Sequence, residues 1–341
     1  MSYKIFKGHN LYQLLIYLLI TKEEERYFFL SKKNLPNKVK EKIELTNKYI
    51  YLLENEEKKI SFLDKTIFLL KKYLYYKIVF YKKYKFLFGS EILGNSDDNI
   101  FFMKNFRISI IEDGGNTYNY INSGKNLDEK RKKIKFFIKN FINLFFFQNL
   151  EISNYHDKKI FKFYLTGIGK IPDILYAKTN IVVMKKLWEN KTFAQKKEIL
   201  KFFGFNSNII QEMKNKKNIL FTQPLSEDGA ITEEEKVLLY SEIISKYEKE
   251  EIIIKKHPRE KTNYKKIFKE ILIIEDNFPA EFFFLLDIKF KKIITIFSTI
   301  AATLGKNIEN IEIDFYGTEI NEKLLKKFGS CEKFMKRNKY L

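Results

Sequence analysis

The sequence predicts an α/β protein in two domains, each built on βαβ units. Three observations predict this. Short runs of β-branched and aromatic residues alternate with segments of helical apolar spacing in both halves of the chain. The runs are bounded by Gly, Pro, Asn and Asp, the residues that turn a chain. A length of 341 residues is enough for two separate cores.

The elements follow in order. Tyr3–Phe6 reads as a first strand, and Gly8, His9 and Asn10 as a loop ending in an N-cap. Leu11, Leu14, Leu15, Leu18 and Leu19 then keep helical spacing, and Arg26–Leu30 is a second strand, so the chain opens with a βαβ unit. The helix Leu11–Ile20 is too short to span a bilayer and lacks a small-residue cleavage site after it, so it reads as a core helix. His9 reads as a loop residue with access to a ligand.

Residues 38–85 read as helical between short strands, and the aromatic stretch Tyr73–Phe88 as containing a strand. Ile108–Ile111 is an apolar strand running into Glu112-Asp113-Gly114-Gly115. The basic run at 125–150 reads as a solvated helix face. Phe161–Ala177 has strand-turn-strand character around Gly167, Gly169 and Pro172, preceded by a surface loop at His156. One or two helices end near Gly204. A Lys-rich linker between Phe205 and Asn218 places the domain boundary, giving domains 1–210 and 211–341.

A second βαβ unit runs from Asn218 to Pro258. Its strand is NILFTQP, and its helix starts at a capping box, Thr232 with Glu235. Glu251–Ile254 then reads as a short buried strand. Pro258 cannot donate to a sheet and holds the residue before it extended, so the strand stops at the cationic group Lys255, Lys256, His257, Arg259. Beyond lie a helix near 263–270, the strand ILIIED, a helix with Glu281 in its first turns, and the strand-to-helix stretch Lys291–Gly305.

The composition is globular, 45% hydrophobic and 16% aromatic. Lys+Arg is 63 against Asp+Glu 43, a net charge of +20. The excess is nearly all Lys and is spread along the chain, whereas nucleic-acid readers concentrate Arg and basic residues on one arm or face. The charge favours anionic ligands and anionic membrane surfaces. Cys331 is the only cysteine, which leaves no intramolecular disulfide and no cysteine metal site.

Three strand ends bear chemistry. Glu112, Asp113 and Gly114 form an acidic rim with close backbone access. His257 stands among cations at a strand end, where open α/β sheets place their ligands. Ser298 and Thr299 open a helix, where free N–H groups and hydroxyls receive phosphate. Singly, the first two read better as an acidic turn and a turn after a strand, and the third at least as well as a plain N-cap.

Together, IIEDGGN, ILFTQPLSEDG, KKHPRE and IFSTIAATL stand in the same order as the motifs of glycosyltransferase family 52, the bacterial lipooligosaccharide sialyltransferases, which the chain resembles over about Ile108 to Gly305. The resemblance implies two Rossmann-like domains facing across a cleft, the GT-B arrangement. It implies a donor, CMP-sialic acid, and a galactose acceptor on a surface glycolipid. Transfer would invert the anomeric centre, with no metal and no cofactor. His257, protonated beside Lys256, Pro258 and Arg259, would donate to the departing phosphate, with Ser298 and Thr299 holding the same group.

Asp228 is the preferred base. Asp113 is the alternative, and Glu227 a neighbouring candidate. With Asp228 as base, Asp113 would bind acceptor or fix the cleft, with Glu112 and Gly114 beside it. A homodimer is permitted, and the chain is expected in the cytoplasm, peripheral at the inner face of the inner membrane. A related enzyme using another nucleotide sugar, as in glucosyltransferase-like members, keeps the same fold. A non-catalytic nucleic-acid-binding protein and an inactive envelope scaffold are the readings of other classes.

Overall fold

The computed structural model describes residues 3–31, 35–53, 67–68, 70–72, 74–94, 98–122, 149–150, 160–205, 207–275, 278–298, 300–307 and 310–331. The chain forms two compact units, Met1–Leu187 and Trp188–Leu341. The division falls before the expected linker. The reason is aromatic packing: Trp188 and Phe203 both set their rings against Phe282 of the second unit, at 6.0 and 5.0 Å between centroids. The helices Met184–Glu189 and Phe193–Phe203 thus lie at and beyond the junction, the second closed by Gly204 at φ +78°.

The first unit is built on seven parallel strands: β1 (Lys4–Lys7), β2 (Arg26–Leu30), β3 (Tyr49–Tyr51), β4 (Glu91–Gly94), β6 (Arg107–Ile111), β8 (Ile160–Leu165) and β9 (Thr179–Ile181). Their order in the sheet is β3-β2-β1-β4-β6-β8-β9. The order reverses between β1 and β4, the switch point of a doubly wound sheet. A small antiparallel pair, β5 (Asp98–Asn99) with β7 (Asn149–Leu150), stands apart. Gly94 closes β4 opposite Lys7, where a Cβ would lie 2.3 Å from the Lys7 carbonyl oxygen, so only glycine fits. The opening helix is Leu11–Ile20, capped by Asn10, whose side chain accepts from the Gln13 N–H at 2.8 Å. Residues 13–19 of it are all buried. Among the described residues no helix is long and apolar enough to cross a membrane.

Two segments of this unit differ from their sequence reading. The stretch Tyr73–Phe88, expected to hold a strand, is helical over Tyr75–Leu87, with a wide π-type turn at Tyr75–Phe80, an α turn at Tyr81–Tyr84 and a tight turn at Lys85–Leu87. Tyr76 and Phe80 stand four residues apart and both are buried, which one helix face achieves and strand alternation equally allows. Packing decides: Phe80 meets Phe29 at 5.9 Å and Tyr76 meets Phe102 at 5.6 Å. After β8 the chain does not return directly as a strand. It turns at Gly167, forms the short helix Asp173–Tyr176 behind Pro172, and only then enters β9. The basic run at 125–150 lies outside the described residues but for its last two, and His156 lies outside them too.

The second unit is a five-stranded parallel sheet, β10 (Asn218–Phe221), β11 (Ile252–Lys255), β12 (Leu272–Ile274), β13 (Lys292–Thr295) and β14 (Glu312–Phe315), in the order β12-β11-β10-β13-β14. The reversal here lies between β10 and β13. The helix Glu233–Ile244 starts at the expected capping box, Thr232 with Glu235. Leu220, Ile252, Ile254 and Ile294 are fully buried with Tyr240 and Tyr264. Strands buried on both faces are apolar throughout, the reason IIIK reads as a run without alternation.

Candidate active site

In the second unit the sheet brings three of the motifs to one edge, because β10, β11 and β13 are adjacent and parallel. Gln223, two residues past β10, ties the switch point together. Its Oε1 accepts from the Phe297 N–H beyond β13 at 2.9 Å, and its own N–H donates to the Tyr240 hydroxyl at 2.7 Å.

The loop after β10 carries Asp228. The Asp228 N–H donates to the Pro224 carbonyl at 2.8 Å, and Gly229 follows at φ +66°, so the turn presents the carboxylate at its tip. The loop after β11 carries His257, Pro258 and Arg259, the last two exposed. Arg259 reaches back to Asp228 with both arms of its guanidinium, Nη1 to Oδ1 at 2.6 Å and Nη2 to Oδ2 at 3.2 Å. The Arg259 backbone N–H donates to His257 Nδ1 at 3.1 Å. Nδ1 is therefore an acceptor, and the ring proton of the neutral imidazole sits on Nε2.

The surroundings of the ring disfavour its charged form. Burial first, and the Arg259 and Lys255 cations second, push the imidazole down from its ordinary value to about 4. At pH 7 His257 in the protein by itself is neutral and donates through Nε2–H. Lys256, expected beside the ring, turns toward Glu275 at 3.9 Å.

Beneath both loops lies a buried charged network that the sequence reading did not assign. Lys236, fully buried on the helix Glu233–Ile244, contacts Glu227 and Glu233 at 3.0 Å each, and Glu260 at 3.8 Å. Glu227 also accepts the Lys261 N–H at 2.6 Å. Burial would raise the Glu227 carboxyl, but Lys261, Lys236 and its own loop hold it down to about 2, and its lone pairs are spoken for. Glu227 is thus tied to Lys236 and to the Lys261 backbone. Glu260 accepts the His257 N–H at 2.9 Å, the Tyr264 hydroxyl at 2.7 Å and the Thr222 hydroxyl. Burial pushes its carboxyl up, against those hydrogen bonds. The Asp228 loop and the His257 loop are therefore anchored on one lysine.

Ser298 follows β13. Its N–H donates to Thr295 Oγ1 at 3.1 Å, and its hydroxyl accepts from the Ile300 N–H at 3.4 Å at the start of the helix Ile300–Asn307. Thr299 lies outside the described residues.

In the first unit Glu112 is fully buried at the end of β6. One carboxylate oxygen accepts from the Tyr12 hydroxyl and the Thr166 hydroxyl, the other from the Tyr118 hydroxyl and the Thr166 N–H, all at 2.7 Å. Burial pushes the carboxyl up and the four donors pull it down. The Tyr118 hydroxyl also accepts the Gly167 N–H at 2.7 Å, so Glu112 fixes the loop after β8. Asp113, half-buried, accepts from Thr117 Oγ1 at 2.6 Å, and Gly114 turns the chain at φ +104°. Glu112 is thus committed to the fold, while Asp113 stands at the rim. His9, exposed, donates its N–H to Gln13 Oε1 at 3.1 Å.

Among the described residues no three His, Cys, Asp or Glu side chains group as a metal site.

Each unit is a Rossmann-like parallel sheet, and the second carries Asp228, His257 and Arg259 in the loops after two adjacent strands. The solved structures agree in fold. An α/β-galactoside α-2,3-sialyltransferase of Photobacterium phosphoreum matches with a TM-score of 0.56 at 13% identity, covering 100% of this chain and 96% of that one. A 2,6-sialyltransferase of Photobacterium sp. JT-ISH-224, in complex with CMP and lactose, matches with 0.60 at 12% identity, covering 100% and 76%. The GT-B domain of a Photobacterium damselae sialyltransferase gives 0.53 at 12%, covering 96% of each. The model of glycosyltransferase family 52 matches residues 92–323, and the chain belongs to that family. A Haemophilus influenzae protein with no characterised function is 43% identical over 175 residues, 51% of this chain and 56% of that one, so the chain spans little more than half of that relative's length.

Proposed function

We propose that the chain is an inverting, metal-independent sialyltransferase that moves sialic acid from a CMP-activated donor to a galactose-terminated glycolipid. The observation that carries this reading is the Arg259 N–H on His257 Nδ1, which leaves Nε2–H as the ring's donor at the carboxyl edge of a Rossmann-like sheet. In the reaction the acceptor hydroxyl oxygen bonds to the anomeric carbon while the bond from that carbon to the phosphate oxygen breaks. Asp228 takes the hydroxyl proton, and the electron pair leaves with CMP. An arriving phosphate raises the His257 pKa, so the imidazole gains a proton and passes it to the leaving oxygen. Ser298 and Thr299 add donors to the phosphate, and Asp113 serves the acceptor side. A glycolipid acceptor places the enzyme at the inner face of a bacterial inner membrane.

The test is CMP release from CMP-sialic acid with lactose as acceptor. His257→Ala abolishes release with unchanged circular dichroism; retained release removes His257 from the chemistry. Asp228→Asn and Asp113→Asn made in parallel identify the base as the variant losing the larger part of kcat. Thermal stabilisation by UDP and not by CMP would transfer the site to another nucleotide sugar.

A further inference from the structure

The helix Glu322–Phe328, after β14, ends beside the Asp228 loop, and the mechanism makes no use of that end. Its Leu324 is fully buried in the core of the second unit. Asn321 caps its start, the carboxamide oxygen accepting the Lys323 N–H at 2.9 Å. Gly329 closes it at φ +77°, and the Gly329 carbonyl accepts the Thr318 hydroxyl at 2.7 Å. The last two residues, Lys327 and Phe328, thus project from a helix fixed at both ends.

These two neighbours meet two different loops. Lys327 Nζ donates to the Asp228 carbonyl, and lies 3.5 Å from where a Cβ on Gly229 would stand. The Phe328 ring lies 5.0 Å from that of Phe297, the residue before Ser298. Other cations of this unit are spent on acids: Arg259 on Asp228, Lys256 on Glu275, and Lys323, one turn back, on Glu235. Among the described residues no carboxylate comes within ion-pair reach of Lys327, and a carbonyl leaves its charge in place. A cation left unneutralised between two ligand-facing loops favours an anion there.

The chemistry of the proposed donor supplies that anion. A sialic acid carries a carboxylate on its anomeric carbon, the carbon that bonds the phosphate oxygen and receives the acceptor. Whatever holds this carboxylate has to stand beside both the base and the groups on the phosphate. Lys327 and Phe328 stand between Asp228 and Ser298, the residues proposed for those two tasks. The His257 ring is committed to the phosphate and Arg259 to Asp228, which leaves the ammonium. A neutral sugar offers nothing in its place.

We propose that Lys327 binds the carboxylate of the donor and so selects a sialic acid over a neutral sugar. This role rests on the sialyltransferase reading and deepens it.

The experiment is titration calorimetry of the full chain with three probes. They are CMP, a CMP-sialic acid with fluorine next to the anomeric carbon, which slows the breaking of that carbon's bond, and the methyl ester of this analogue. The unaltered chain binds the acid about tenfold tighter than the ester. Lys327→Gln binds acid and ester alike and moves CMP affinity less than about twofold, whereas Lys327→Arg retains most of the preference. Lys327 is exposed, so thermal unfolding stays unchanged. Equal binding of acid and ester by the unaltered chain overturns the proposal, as does a preference that survives Lys327→Gln. So does a loss of CMP affinity matching the loss for the acid, since Lys327 then reads the phosphate or only supports the Asp228 turn. A chain that binds none of the three probes loses this role together with the reading beneath it. Preference for the acid without CMP release to lactose keeps Lys327 and fails the catalytic reading; CMP release by a chain indifferent to the ester does the reverse.

Discussion

Asp228 and Arg259 meet fork to fork, two nitrogen-to-oxygen contacts of 2.6 and 3.2 Å joining loops 31 residues apart in the chain. The guanidinium side chain is 62% exposed, so the pair contributes less than about 1 kcal/mol to stability. Its role is geometric. A planar fork sets the carboxylate's orientation, which a lysine, as a point charge, does not. Arg259→Lys is expected to leave the urea midpoint nearly unchanged while lowering the rate of CMP release by about 10- to 100-fold, the equivalent of roughly 1–3 kcal/mol for a charged hydrogen bond. Steady-state kinetics beside equilibrium unfolding checks both halves.

Lys236, fully buried, neutralises the buried Glu260 and the nearly buried Glu227. Lys236→Met strands Glu260, whose side chain is fully buried, and Glu227, which is nearly so. The expected loss is about 3–5 kcal/mol, as for a buried charge deprived of its partner. Adding Glu260→Gln to Lys236→Met removes one of the stranded charges and recovers part of the loss. A urea double-mutant cycle measures it, and an additive cycle would show that the two groups are not coupled.

The pH dependence has a definite sign. His257 is held at about 4 in the folded chain against an ordinary 6.5, so between those values the unfolded chain binds a proton that the folded chain does not. Stability from this group is complete above about pH 6.5 and declines as pH falls toward 4. Glu227, held down to about 2, adds a further loss below about pH 4.5. The urea midpoint at pH 5 is expected below that at pH 7.5, with a smaller difference in His257→Asn. CMP, by placing a phosphate at the ring, is expected to draw a proton on binding at pH 6. Calorimetry in two buffers of different ionisation enthalpy reads that uptake, and zero uptake would place the phosphate elsewhere.

Glu112 accepts four hydrogen bonds with no exposure to water. Glu112→Gln turns one accepting oxygen into a donor that faces existing donors. The cost is about 1–3 kcal/mol, measured by thermal unfolding. Asp113→Asn, at the half-buried rim, is expected to change stability far less.

Gly94 carries the first unit's switch point. Gly94→Ala drives a methyl into the Lys7 carbonyl oxygen, a backbone atom that cannot swing away, and is expected to cost about 1–3 kcal/mol or more. Gly114→Ala meets no neighbour and costs only the strain of its positive φ.

The chain's sequence by itself determined strands of both sheets, the capping box at Thr232 and Glu235, and the resemblance to the family whose model matches residues 92–323. These are local properties, since apolar period, turn residues and caps are written in neighbouring side chains. Only the tertiary structure decided that Tyr75–Leu87 is helical, because its aromatic residues serve either period until Phe29 and Phe102 fix the buried face. Only it separated Asp228, held by Arg259, from Glu227, bound to Lys236, though the two are adjacent in an acidic loop. The neutral state of His257 belongs there too: charge and burial act through space, and the Glu260 and Arg259 contacts around the ring arise from the fold of the loop rather than from the His-Pro-Arg spelling alone.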